Sequence, residues 1–540
     1  MLLLPLAIGC GGGASSNAVA DATVDSTVDT GDDVDATSDA DATIVEAATD
    51  SGPGDPSVLQ FHNHASRDGV YVDPLVTRAS AAKMHLDPTF HPTLDGHVYA
   101  QALYVENGPS GHGAFYVATE NNNVYAIDES GLVVWTHNVG SNASGAEKCG
   151  NIQPLGITGT PVIDLARRAI YFDAARPGTT VTTLSEHEIH ALSIDSGAEL
   201  SGWPVVASTI SYGTLAFNPK PQNQRGALLI VGNTLYVPYG GHSGDCTDNE
   251  GDPYHGWMIA VPLDAPSTAV GWATGSKEAG MWSVGGLASD GVSIYGATGN
   301  SPGGEVCPGA LASSWQQQEA VLRFQPGAVW PGTTADFFAP TNWSCLDNGD
   351  VDLGSSNPVL FDVAAMKLLS AMGKNGTAYL VDRTNLGGIG GELASAKIAT
   401  GELAMAPTAY STPLGSYLVG YASAGGSGIA CPLGAGNLVA SKISDGSPPT
   451  LAVAWCANEQ GQGSPIFTTT DGVHDPLVWA VGAETSDRLR AWDADTGAVV
   501  FDGGAGSDVV AGFRHFATVI VVKGRILAAA DGALFAFTSE

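Results

Sequence analysis

The feature that most constrains this chain is an internal repeat. A short apolar strand, a turn and a second strand are followed by a segment of the form Ala, apolar, Asp, then a turn ending in Gly and a later Trp or Phe. The second strands begin at Phe115, Ile170, Leu235, Ile294, Leu368, Tyr417, Val478 and Ile526. These are eight units, roughly 59 residues apart, a spacing that belongs to repeat architectures. AIDESGLVVW at Ala126, ALSIDSGAELSGW at Ala191 and AWDADTGAVVF at Ala491 read as hairpins in which Gly permits a left-handed turn and the aromatic packs between units. A lone four-stranded unit cannot hide its apolar face, and radial stacking on its neighbours solves that problem. The 70 glycines and 30 prolines suit a chain of many short strands and turns, and long stretches with helical periodicity are scarce. The expected fold is all-β, an eight-bladed β-propeller of four-stranded antiparallel blades over residues 57–540. The last unit runs TVIVVKG, ILAAA, ALFAFTS and reaches Glu540 without a fourth strand. Residues 80–95, ahead of the first full blade, are expected to supply it, so the ring is closed by an N-terminal strand.

Residues 1–10 read as a lipoprotein signal. MLLLPLAIG is too short to span a bilayer and leads into Cys10, with Ala7, Ile8 and Gly9 matching a lipobox. A basic n-region is missing, which places the expected translation start upstream. Cys10 is the expected lipidation site, and Gly11 in place of Asp favours the outer membrane or cell surface of a Gram-negative bacterium. Residues 11–56 hold eleven acids up to Asp55, no Lys, Arg or aromatic residue, and read as a disordered, self-repelling tether. The net charge of −34 falls to about −23 without those eleven acids and still opposes a phosphate backbone, so nucleic acid is excluded as a partner. Beyond Cys10 there are six cysteines, an even number consistent with up to three disulfides in an exported chain, with the pairing open.

FHNHASRDGVYVD, DGHVYAQALYV, ATENNNVYAID, GITGTPVID, DPYHGW and DLGSSNPVLF resemble a bacterial group of pyrroloquinoline quinone (PQQ) repeat propellers within the quinoprotein alcohol dehydrogenase-like superfamily. The resemblance covers nearly the whole chain. YGATGNSPGG is similar to the segment in which the active dehydrogenases place a calcium-coordinating asparagine, which implies Asn300 as a metal ligand. DNGDVD sets Asp347 three residues before Asp350, similar to the family's Asp-x-Trp-Asp, and implies Asp347 as general base. KNGTAYLVDRTN resembles the segment whose cation faces the quinone, which implies Lys374 as a cofactor contact. Arg225 and Trp282 are further cofactor-binding candidates; with His255 and Trp257 they fall in group-specific motifs expected near the channel mouth, the two tryptophans equally open to a packing role. Asp252 and Glu250 lie where the family has its calcium-binding glutamate.

Three departures weigh against turnover. The family's adjacent cysteine pair is absent, since Cys149 stands beside Gly150; the calcium glutamate has no clear counterpart; and Gly349 replaces the Trp of Asp-x-Trp-Asp. Two other signals fall away. GNSPG at Gly299 mimics a serine-hydrolase elbow, but Pro302 lacks the N–H an oxyanion hole needs. His187 and His190, three apart in a strand, point to opposite faces and do not make a metal pair. The expected function is therefore a surface-anchored binding propeller without turnover, its partner a protein, glycan or small molecule at the propeller face. The alternative is a PQQ- and calcium-dependent dehydrogenase acting on an alcohol or sugar. No CxxCH haem motif is present, so electrons would leave through a separate carrier.

Overall fold

The computed structural model describes residues 54–143, 150–178, 184–242, 254–302, 314–423, 431 and 436–540. Cys10, the tether up to residue 53, and Cys149, Cys246, Glu250, Asp252 and Cys307 lie outside the described residues.

Eight small antiparallel sheets form a propeller. In blade 1 the strands are Leu103–Val105, Ala114–Ala118, Asn123–Asp128 and Val133–Asn138, innermost to outermost. Blades 2 to 8 have their innermost strands at Val162–Asp164, Leu229–Val231, Ala288–Ser289, Val359–Val363, Thr408–Thr412, Ile466–Thr469 and Ile520–Val522. All eight second strands expected from the repeat fall inside observed second strands, among them Phe115, Leu235, Val478 and Ile526. These strands are mostly apolar because both faces are covered. One face of each blade packs on the preceding blade and the other on the following one. Tyr171, Ile189 and Trp257 fill the seam between blades 2 and 3, and Trp455, Phe467 and Trp492 the seam between blades 6 and 7. The fourth strand of blade 1, at the rim, alternates half-buried and exposed residues instead.

The docking aromatics behave as expected. Trp135 of blade 1 donates its Nε1–H to the Ile194 carbonyl of blade 2 (3.0 Å), and Trp455 of blade 6 does the same to Ala494 of blade 7 (2.9 Å). Each indole lies over a glycine, Gly197 or Gly497, at φ +69° and +71°. A Cβ there would approach the ring to 2.6 or 2.7 Å, so both the turn and the contact require Gly.

His85–Leu86 completes blade 8, pairing antiparallel with Thr538 and Phe537. That is the closure expected of residues 80–95. Cys431 and Cys456 form a disulfide with Cα atoms 5.6 Å apart, and Cys345 is disulfide-bonded as well. His187 and His190 are separately engaged, the first with Asp173 and the Gln222 carbonyl, the second with Glu199. Trp257 is 1% exposed and belongs to the core, not the channel mouth.

Residues 57–73 do something the sequence reading did not anticipate: they occupy the axis. Val58 exchanges backbone hydrogen bonds with Tyr104 of blade 1, and the carbonyl of Leu59 accepts from Ile163 of blade 2. Arg67 donates to the carbonyl of Leu228, beside the inner strand of blade 3. The carbonyls of Ala65, Ser66, Asp68 and Gly69 accept from Ser289, Leu360, Ala409 and Phe467, one residue from each of blades 4 to 7. Val70–Val72 then runs parallel to the inner strand of blade 7, and the Asp73 carboxylate accepts the Gly524 N–H of blade 8. Every innermost strand is a sheet edge, and this segment gives each blade a hydrogen-bond partner, on that strand or just beside it.

Candidate active site

One end of the axis carries a cavity of about 450 Å³. That size suits a small molecule. Its walls come from the turns between second and third strands and from the loops that link blades. The turns contribute Tyr254 in blade 3, Asn300 in blade 4, Lys374 in blade 5 and Glu484 in blade 7. The linking loops contribute Arg225, Trp282, Asp350, Asp352, Met405 and Phe516.

Trp282 stands at the centre of this group. Its indole is approached by the guanidinium of Arg225 at 5.5 Å and by the ammonium of Lys374 at 5.4 Å. Gly299 allows the crowding, because a Cβ there would sit 2.2 Å from an Asp352 oxygen and 2.9 Å from the indole nitrogen.

The two cations differ in how their charge is balanced. Lys374 forms ion pairs with Asp352 and, at 3.0 Å, with Asp350. Asp352 is almost fully buried, and its other oxygen accepts the Asn300 N–H at 2.8 Å. Those carboxylates raise the Lys374 ammonium above its usual range against the opposing pull of burial. Arg225 is 5% exposed and donates a 3.3 Å hydrogen bond to the side-chain oxygen of Asn151. Among the described residues no carboxylate pairs with it, and its Nε–H has no acceptor. Burial pushes its pKa down to about 10, and the remaining room around it is the cavity itself. A buried guanidinium without a counter-charge is costly, and an anion entering the cavity relieves that cost.

The acids behind the cavity wall are held toward their neutral form. Asp347 lies on the short helix Trp343–Gly349 and is not among the lining residues. Its Oδ1 accepts the Ser301 N–H at 2.9 Å, and burial pushes its carboxyl up to about 7. Glu319 is fully buried and raised well above its ordinary value by burial and by the charge of Asp352. The structure thus brings Asn300, Lys374, Arg225 and Trp282 together at the cavity, sets Asp347 one hydrogen bond behind Ser301, and puts Asp350 and Asp352 on the wall. His255 hydrogen-bonds the Thr274 carbonyl at 2.8 Å.

No protein-family profile matches this sequence, and no curated protein matches it either. Solved structures do. The quinohemoprotein alcohol dehydrogenase from Comamonas testosteroni is 14% identical, with 90% of this chain and 80% of that chain covered at a TM-score of 0.59. The quinohemoprotein alcohol dehydrogenase ADHIIG from Pseudomonas putida HK5 gives 14% identity, coverage of 92% and 81%, and a TM-score of 0.58. A europium-containing methanol dehydrogenase gives 12%, 88% and 90%, and 0.56.

The chain has the quinoprotein alcohol dehydrogenase fold.

Of the calcium candidates Asn300, Glu250 and Asp252, Asn300 lies among the described residues and the other two do not. Asp350 and Asp352 hold the Lys374 ammonium, and among the described residues no group of three or more His, Cys, Asp or Glu side chains is arranged to hold a metal ion. Asn300 alone offers one amide oxygen, whereas calcium takes six to eight oxygen ligands. A guanidinium with no carboxylate pair among the described residues, an ammonium and an indole share one wall. Sequence reasoning missed His515 and Phe516 on that wall. His515 pairs with Glu484 at 2.6 Å, and Phe516 has the Arg225 guanidinium 5.5 Å from its ring. No motif announced them, because RHFAT contributes to the site only once the ring has closed.

Proposed function

We propose that this protein is an exported propeller that binds an anionic, planar small molecule in its axial cavity without turning it over. The observation that carries the reading is Arg225, a buried guanidinium facing the cavity with no carboxylate partner among the described residues. Each charge-assisted hydrogen bond to a bound anion contributes roughly 1.5–3 kcal/mol. Trp282 and Phe516 supply flat apolar surface beside it. On this reading the chain is anchored through Cys10, lies beyond the inner membrane of a Gram-negative cell and touches the membrane only through its lipid. No described helix is long and apolar enough to cross a membrane.

PQQ is the first ligand to test. When bound it would supply a quinone that accepts two electrons; Arg225 is the residue that would meet a carboxylate, and Lys374, already paired with Asp350 and Asp352, would offer at most a remaining N–H to a carboxylate or carbonyl oxygen. The experiment is calorimetric titration of the protein with PQQ and with simple aromatic polycarboxylates, with and without calcium. Binding that is independent of calcium and falls about a hundredfold in Arg225→Met is expected. Binding that ignores Arg225 would overturn the reading.

The dehydrogenase alternative has one observation in its favour. The Asp347 carboxyl, with a pKa of about 7, lies directly behind the loop that carries Asn300. A general base works best with a pKa near the operating pH. Dye-linked oxidation of alcohols or sugars with PQQ and calcium, abolished in Asp347→Asn, would replace the binding reading with that one.

A further inference from the structure

Residues 57–73 are built as a separate piece seated in the ring. Their backbone takes left-handed conformations at His62 (φ 54°), Asn63 (φ 69°), Arg67 (φ 63°) and Gly69 (φ 70°). Three of these are not glycine, and such a run persists only when the surroundings impose it. What imposes it is Arg67. Its fully buried guanidinium donates to the carbonyls of Leu228 and Leu287 on the ring, and to Phe61 and Gln60 within the segment itself. One side chain thus ties the fold of the segment to its seat.

The segment also shares packing with the cavity wall. Phe61 stacks on His62 at 4.3 Å and belongs to one apolar cluster with Met405 and Phe516, both of which line the cavity. The N-terminal segment thus contributes to the apolar cluster that backs two residues of the wall.

We propose that residues 57–73 are a removable axial plug, withdrawn as a unit while the ring stays closed, and that its withdrawal takes Phe61 out of the apolar cluster behind Met405 and Phe516 of the cavity wall. Closure of the ring does not depend on the plug, because the strand completing blade 8 is His85–Leu86, downstream of it. The blades also keep their own ladders and seams when it leaves. Apart from the short parallel ladder with blade 7, its backbone hydrogen bonds to the blades are one or two per blade, and Leu75, just past it, is exposed. Local opening with a free energy below that of the whole fold is expected of such an element. The proposal is independent of what the cavity binds.

The test is native-state hydrogen exchange on the full chain, read at single amides. Ile163, Ser289, Leu360, Ala409 and Phe467 lie in five different blades, and each donates its N–H to a plug carbonyl. If the plug leaves as a unit, these five amides and those of Val58 and Asp73 exchange through one shared opening, faster than the amides of the second strands. Arg67→Met is expected to speed this set on the order of a hundredfold and leave the second strands unchanged. Should Arg67→Met fail to fold, Gly69→Ala serves, since its Cβ would meet the Thr408 hydroxyl at 2.9 Å in a left-handed backbone. The proposal is overturned if the five edge amides exchange only together with the second strands, or if the variant accelerates both sets alike.

Discussion

Glu120 offers a quantitative test of how this ring is held together. It sits in the turn between the second and third strands of blade 1, fully buried, and reaches across to the loop leading into blade 2. Its carboxyl accepts the Gly156 N–H at 2.5 Å and the Thr158 hydroxyl at 2.8 Å. Burial outweighs both hydrogen bonds and pushes its pKa up to about 8 from 4.5. Below pH 4.5 the group is protonated in both folded and unfolded chains and has no effect on stability. Between about 4.5 and about 8 only the folded chain keeps the proton, so unfolding releases it and stability falls as pH rises. At 1.36 kcal/mol per pH unit the loss across that window is on the order of 5 kcal/mol. With an unfolding entropy near 2.1 cal/mol/K per residue, a ring of this size loses about 1 °C of Tm per kcal/mol, so the shift is roughly 5 °C, of which about 4 °C falls above pH 5. Glu120→Gln keeps the shape, lets the amide oxygen accept from Gly156, and lets the amide N–H donate to a reoriented Thr158 hydroxyl, with no titration. Calorimetric Tm values of both proteins from pH 5 to pH 9 are the assay. Other carboxylates give both proteins a common pH dependence, and the variant-minus-wild-type difference isolates Glu120. It should grow by about 4 °C in favour of Gln between pH 5 and pH 8.5 and then level off. A difference that stays constant across the range refutes the reasoning.

Three further outcomes follow from the same structure. Lys374→Ala strips the buried Asp352 of its counter-ion and is expected to cost about 3–5 kcal/mol, with the loss partly recovered by millimolar calcium, which the freed carboxylates then accept; thermal unfolding with and without calcium checks it. Trp455→Ala empties the seam between blades 6 and 7 and removes the hydrogen bond to Ala494, for an expected loss of roughly 3–5 kcal/mol in denaturant unfolding. Asp347→Asn removes a carboxyl that titrates near pH 7 behind the cavity wall; ligand affinity measured from pH 5.5 to pH 8.5 is expected to lose any inflection near pH 7 that the wild type shows.

The roles of the cavity residues show where local reasoning stops. Asn300 and Lys374 occur in motifs short enough to be recognised in the chain, and both stand at the cavity. The partners that decide their roles are remote. Lys374 is charge-balanced by Asp350 and Asp352, from the loop before blade 5, and these carboxylates thereby hold an ammonium. DNGDVD was legible as a cluster of acids, but which of them faces the cavity depends on the short helix Trp343–Gly349 and on the left-handed Asp350 that ends it (φ 49°). That geometry turns Asp347 behind Ser301 and brings Asp350 and Asp352 forward.

The blades themselves were written in the sequence. Strand period, Gly turns and a docking aromatic are properties of ten or so consecutive residues, repeated eight times, and units with two apolar faces pack stably only by stacking in a ring. The missing strand of the last blade was equally readable, as a deficit at Glu540 that residues 80–95 could fill, and His85–Leu86 fills it. The tertiary structure decided what stands on the axis. FHNHASRDGVYVD has the composition of a loop, and its conformation has no local cause; it is set by strand edges from every blade, which come together only when the ring closes. The setting of Arg225 is of the same kind: among the described residues no carboxylate pairs with it, and its guanidinium becomes buried only through neighbours that the ring assembles around it.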